Sequence, residues 1–200
     1  MDLLSIVKSV AFGGCSATPL VRYSIVGHDH LDHLVRDTRV TIVGPVRVRR
    51  SNVLYIAPGD HMRIRLEHGK LDIWVLGLRD LRQFRINRRL HSFPVVLKHG
   101  QEYAIYVDDL DIDDIELIRK LISELKRSLG DLLKIALLPV YNRSKQHGSK
   151  DPRDLHDKSI ELLKFAHSLR LDVIALAHPV IPSDLPKFAI PFRKILQTLK

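Results

Sequence analysis

Up to residue 107, apolar and polar side chains come in short runs broken by turn residues. From 111 onward the spacing lengthens to that of helices separated by apolar segments. A period of two sends neighbouring side chains to opposite faces of a strand, whereas a period of 3.6 gathers them on one face of a helix. Strands are therefore predicted over SIVKSVAF (5–12), LVRYSIV (20–26), RVTIVGPVRV (39–48), VLYIA (53–57), HMRIRL (61–66) and KLDIWVLGL (70–78). Gly44-Pro45 breaks the third, because proline has no N–H for a central strand. Pro58-Gly59-Asp60 reads as a turn: proline presets φ and glycine takes the position other residues resist. PVVLKHGQEYAIYV (94–107) reads as a hairpin about His99-Gly100.

DIDDIELIRKLISELKRSLG (111–130) places Ile112, Ile115, Ile118, Leu121, Ile122, Leu125 and Leu129 on one helical face. Its acidic first turn, basic last turn and Gly130 are helix start and stop signals that suit the helix dipole. LLKIALLPVY (132–141) is apolar on both faces, as a buried strand is. NRSKQHGSKDPRD (142–154) reads as a loop, LHDKSIELLKFAHSLR (155–170) as a helix and LDVIALAHPV (171–180) as a second buried strand. A last helix is expected from near Pro186 or Pro191. Many strands followed by alternating helix and strand, with no linker or repeat, predict one mixed α/β domain over residues 1–200. Trp74, Tyr103 and Tyr106 fall in strand patterns and are expected to pack in the core.

Composition narrows the chemistry. No apolar stretch approaches the ~20 residues that span a bilayer, and the opening MDLLSIVKSVAFGG lacks the form of an export signal. The expectation is a cytoplasmic protein with no membrane partner; the oligomeric state is open. The single cysteine, Cys15, allows no internal disulfide, so a metal site here would use histidine and carboxylate. Lys and Arg number 32 against 23 Asp and Glu, a formal charge of +9. That balance suits anionic partners, whether phosphates, acidic metabolites or nucleic acid, and equally suits a merely solvated surface. RDLRQFRINRRLH (79–91) concentrates five arginines, a density suited to phosphate or carboxylate recognition.

The densest chemistry is YSIVGHDHLDHLV (23–35). The spacing is His28-x-His30-x-Asp32-His33. Leaving a strand, residues i and i+2 share a side, so His28 and His30 can converge on one cation while Asp32 and His33 turn to a second. Imidazole and carboxylate are ligands for zinc, iron and manganese. Two cations close together can hold and ionise a bridging water near neutral pH. His28-Asp29 is also an HD pair of the helical phosphohydrolase type, but the strand-like YSIV before it argues against an all-helical site.

His-x-His-x-Asp-His after an apolar strand resembles the metallo-β-lactamase superfamily, and its L-ascorbate-6-phosphate lactonase-like branch in particular. APGD (57–60), PVVLKHGQEYAIYVDD (94–109), ALLPV (136–140) and ALAHP (175–179) follow in that branch's order. The resemblance implies a four-layer αββα sandwich, here with an abbreviated N-terminal sheet. It also implies a divalent metal, zinc above all with manganese or iron as alternatives, one or two per chain. His28 and His30 match the first-metal pair, Asp32 and His33 the second-metal pair, Asp109 the bridging aspartate and His178 the last histidine. The family's mid-chain histidine is absent. Asp80 stands near its place, and His91 lies further along. Asn142 and Arg143 fall where substrate contacts are expected, with His91 a further candidate.

The resemblance then implies a metal-dependent hydrolase. A metal-bound hydroxide would attack an ester, lactone or phosphoester of an anionic small molecule, with Asp32 or Asp109 orienting the water. A nuclease of the same fold is the alternative within this class. A non-catalytic binding protein with a degenerate metal site is the alternative outside it.

Overall fold

Strict alternation in HMRIRL and in LDIWV builds the edge of the main sheet. The structure is a computed structural model that describes residues 2–8, 10–12, 23–25, 55–67, 69–88, 90–142, 152–178 and 181–192. Strands β3 (His61–Leu66) and β4 (Gly69–Val75) pair antiparallel, with Ile64 opposite Leu71 and Arg63 opposite Asp72. β5 (Val95–His99) and β6 (Glu102–Tyr106) continue the antiparallel run. β7 (Leu133–Tyr141), β8 (Asp172–His178) and the short β9 (Ile190–Pro191) then add in parallel. The seven lie in the order β3-β4-β5-β6-β7-β8-β9.

On one face lie α3 (Ile115–Leu129) and α4 (Pro152–Ser168). The α3 stripe is as the period requires: Ile115, Ile118, Leu121, Ile122 and Leu125 are all buried. They pack with Leu162 and Leu163 of α4 over Ile105, Ala136 and Val173 of the sheet. Each such side chain contributes roughly 1.5–3 kcal/mol by leaving water. On the other face, β1 (Val10–Phe12) and β2 (Tyr23–Ile25) form a small parallel sheet. Val10, Phe12 and Ile25 pack with Ile73, Val95, Tyr106, Leu137 and Ile174. Helices, a seven-stranded sheet and a second, small sheet therefore stack in that order, a mixed α/β architecture. Among the described residues, no helix is long and apolar enough to cross a membrane.

Several local expectations change. Residues 5–8 belong to helix α1 (Leu3–Lys8) rather than to a strand. Leu3, Ile6 and Val7 are all fully buried, a helical i, i+3, i+4 spacing, and the Asp2 carboxylate accepts the Ser5 N–H at 2.9 Å as a cap. Tyr55–Ala57 are not in a strand; the turn after them does form, with Asp60 N donating to Ala57 O (2.9 Å) and Gly59 at φ 98°. The hairpin pairs His99 with Glu102, so its loop is Gly100-Gln101, one residue later than expected. β4 ends at Val75, and the arginine-rich stretch opens as helix α2 (Leu78–Gln83). Helix α4 begins at Pro152, three residues into the expected loop; proline suits a first turn, where its missing N–H costs nothing. Pro186 starts no helix. Ile190 and Pro191 pair with Ile174 and Ala175 at the sheet edge, and Phe192, helical just after Pro191 as the second alternative has it, is buried against Phe12; the rest of the expected helix lies outside the described residues. The strand expected over 39–48 lies outside the described residues.

Candidate metal centre

β6, β7 and β8 run parallel, so their C-terminal ends open at one rim of the sheet, where α/β folds place their sites. Asp109 follows β6 by three residues, Tyr141 and Asn142 end β7, and His178 ends β8 with its backbone in register with Tyr141.

Tyr141, 1% exposed, reaches from β7 to the loop after β6. Its hydroxyl donates to Asp109 Oδ1 (2.5 Å) and accepts the Leu110 N–H (2.6 Å). Burial, with the Asp109 charge second, pushes this phenol well above its usual 10, so it stays a donor. Leu110 N–H also donates to Asp109 Oδ1 (3.0 Å). With Oδ1 so occupied, the carboxylate's orientation is set, and Oδ2 faces His91 Nε2 at 3.5 Å.

His91 is itself clamped. Its backbone N–H donates to Asp114 Oδ2 (2.7 Å), and Arg88 Nη2 donates to Asp114 Oδ1 (2.5 Å). The adjacent Ser92, fully buried, donates its hydroxyl to the Asp109 carbonyl (2.7 Å) and accepts the Asp109 N–H (3.3 Å). The ring lies between Asp109 and Asp111, each at 3.5 Å. Its hydrogen bond with Asp109, aided by the charges of Asp109, Asp111 and Asp114, raises its pKa above 6.5 against the effect of burial.

Asp80 is placed differently. It is the third residue of α2, and its Oδ2 accepts the Gly77 N–H at 2.8 Å, capping its own helix. It lines a cavity with Asp60, Trp74 and Tyr103, none of them a predicted site residue. The structure thus brings together Asp109 and His91, sets Asn142 and the backbone of His178 on the same rim, and turns Asp80 to its own helix. His28, His30, Asp32, His33 and Arg143 lie outside the described residues. Among the described residues, no group of three or more His, Cys, Asp or Glu could hold a metal ion. Of the five arginines, Arg88 is engaged with Asp114, and Arg79 and Arg82 are exposed on α2.

Sequence reasoning missed Tyr141, Ser92 and Asp114, the residues that position Asp109 and His91. The one available signal is a tyrosine closing an otherwise apolar strand, whose hydroxyl must find a partner when buried.

No family model matches the chain, and no curated protein does. Solved structures similar to it include unliganded yeast PDE1, at 14% identity and TM-score 0.41, covering 90% of this chain. A putative Zn-dependent hydrolase of the metallo-β-lactamase superfamily from Thermotoga maritima is similar at 10% identity and TM-score 0.32 over 89% of this chain. The metallo-β-lactamase fold protein YhfI from Bacillus subtilis is similar at 13% identity and TM-score 0.40 over 90%. This chain spans 63% of the yeast protein's length, 69% of the Thermotoga protein's and 72% of YhfI's.

Proposed function

We propose that this chain is a metal-dependent hydrolase of the metallo-β-lactamase type, acting on an ester, lactone or phosphoester of an anionic small molecule. The carrying observation is a tether. Tyr106 Oη, at the last residue of β6, donates to the Ile25 carbonyl at the end of β2 (3.2 Å). Three residues of chain span at most about 11 Å. His28 follows Ile25 by three residues in the sequence, and Asp109 follows Tyr106 by three.

The donor chemistry fits a divalent cation. Asp32, His33, Asp109 and His178 would hold it, with His28 and His30 holding a second; Asp80 accepts the Gly77 N–H through Oδ2. The cation supplies Lewis-acid polarisation and acidified water near neutral pH. Tyr141 holds Asp109 Oδ1 by hydrogen bonding, which leaves Oδ2 to orient the attacking water or share the cation. His91, half-buried beside Asp109, is assigned to an anionic substrate group, with Asn142 and Arg143 as further candidates. Hydrolysis of a generic phosphodiester and a lactone, with and without chelator, tests the reading. Activity is expected to vanish with chelator and to fall at least about a hundredfold in His33→Ala and Asp109→Asn. Activity indifferent to chelator and to both substitutions would overturn it.

A further inference from the structure

The face of the main sheet that α3 covers near β6 runs on toward β3 past the end of that cover. Trp74 and Tyr103, expected in the core, are only half-buried there. The register builds this face in cross-strand rows. One row reads His61, Trp74, Val96, and the next Arg63, Asp72, Lys98, Tyr103. A third places Arg65 beside Lys70. Between these rows, α2 and the end of α3 lies a cavity of 390 Å³.

Three kinds of group meet at it. Trp74, Phe84 and Tyr103 supply aromatic surface, with Val96 between the strands. His61 stacks on Trp74 at 4.5 Å, covering one face of the indole. Asp60 and Asp80 are the acidic residues of the lining, Asp80 from α2. Beside the lining rather than in it, Lys98 holds its ammonium 5.1 Å from the centre of the ring of Tyr103, its cross-strand partner. Arg63 is bound by Asp72 through two hydrogen bonds, at 2.5 and 3.1 Å. Among the described residues, Arg65, Lys70 and Lys98 have no such carboxylate partner. A flat ring bearing N–H donors and an adjoining anionic group matches that set of groups. The cations also continue beside the cavity along β3 and β4, which a single phosphate does not need.

We propose that this cavity and the adjoining sheet face bind a single-stranded polynucleotide, with one amino-bearing base stacked between Trp74 and Tyr103 and its phosphates on Lys98, Lys70 and Arg65. Stacking on aromatic side chains supplies sequence-tolerant affinity, and the cations supply a salt-sensitive component. In this proposed pose the exocyclic amine of adenine would donate to Asp60, and uracil has no such amine, only the single ring N3–H. The site uses neither Asp109 nor the His28–His33 motif, so it stands or falls separately from the hydrolase reading.

Trp74 is the only tryptophan in the chain, so its emission reports the site directly. The full chain is titrated with an oligoadenylate about ten nucleotides long. Saturable quenching is expected, weakening steeply as salt rises. The Lys70→Glu, Lys98→Glu double variant should bind at least about tenfold more weakly with the unliganded emission unchanged. Tyr103→Leu, which keeps the cavity apolar, should weaken binding as well. Oligouridylate should bind less tightly than oligoadenylate, and Asp60→Asn should remove that preference. The proposal is overturned if no quenching occurs, if a duplex of the same length or free AMP binds as tightly, or if the double charge variant binds as wild type does.

Discussion

Asp114 shows how one carboxylate carries a strain on behalf of its neighbours. It is 3% exposed and lies beyond the sheet rim at the entry to α3, where its two oxygens accept from Arg88 and from the His91 backbone. Burial raises its pKa above 3.8, opposed by the His91 N–H and the Arg88 charge. The folded state therefore binds this proton more tightly than the unfolded chain. The stability the group contributes is full below 3.8 and is lost as pH rises through its higher folded value. The advantage of wild type over Asp114→Asn, measured by denaturant unfolding across the acid range, should narrow as pH rises through that window. An advantage that widens would contradict the assignment. Tyr141 plays the complementary part: a neutral, fully buried donor that sets one carboxylate without adding charge.

At the scale of elements, α2 is held by contact rather than by length. It has six residues, too few to be stable alone. Gly77 at its N-cap lets the Pro58-Gly59 turn close against it: a Cβ there would lie 2.8 Å from the Pro58 carbonyl carbon and 2.9 Å from Gly59 N. Its φ of −83° suits any residue, so the demand is steric alone. Gly77→Ala should destabilise the chain by about 1–3 kcal/mol, read from the shift in unfolding midpoint; a neutral effect would show that the turn gives way freely. Elements of this kind explain what the sequence could and could not disclose. α3 was legible because fifteen residues of amphipathic pattern carry their own start and stop signals. The β3–β4 pair was legible from alternation, and the β5–β6 hairpin from its apolar runs and Gly100. α1 was not: its six residues alternate and space helically at once, and the cap that decides is a single aspartate. The short strand at Ile190 and Pro191 was not legible because it answers to a free sheet edge provided by β8, about sixteen residues earlier in the chain.

Across the whole molecule, which carries a formal charge of +9, two places on the main sheet gather charged side chains. One is the C-terminal rim of β6, β7 and β8, where Asp109 and His91 meet. The other is the face near β3, where arginine and lysine flank aromatic rings. Asp109 was readable as a site residue only through the family resemblance; it lies three residues past the end of β6. The hydroxyl that orients it comes from 32 residues away, a pairing no local pattern encodes. The metal is the feature on which the functional account turns, and elemental analysis of the full-length protein, purified with no added metal, measures it. The account predicts at least about one tightly held divalent cation per chain, reduced in Tyr141→Phe and lost in Asp109→Asn. Protein that retains no divalent cation, takes up none from a zinc solution, and behaves alike in wild type and Asp109→Asn would contradict it.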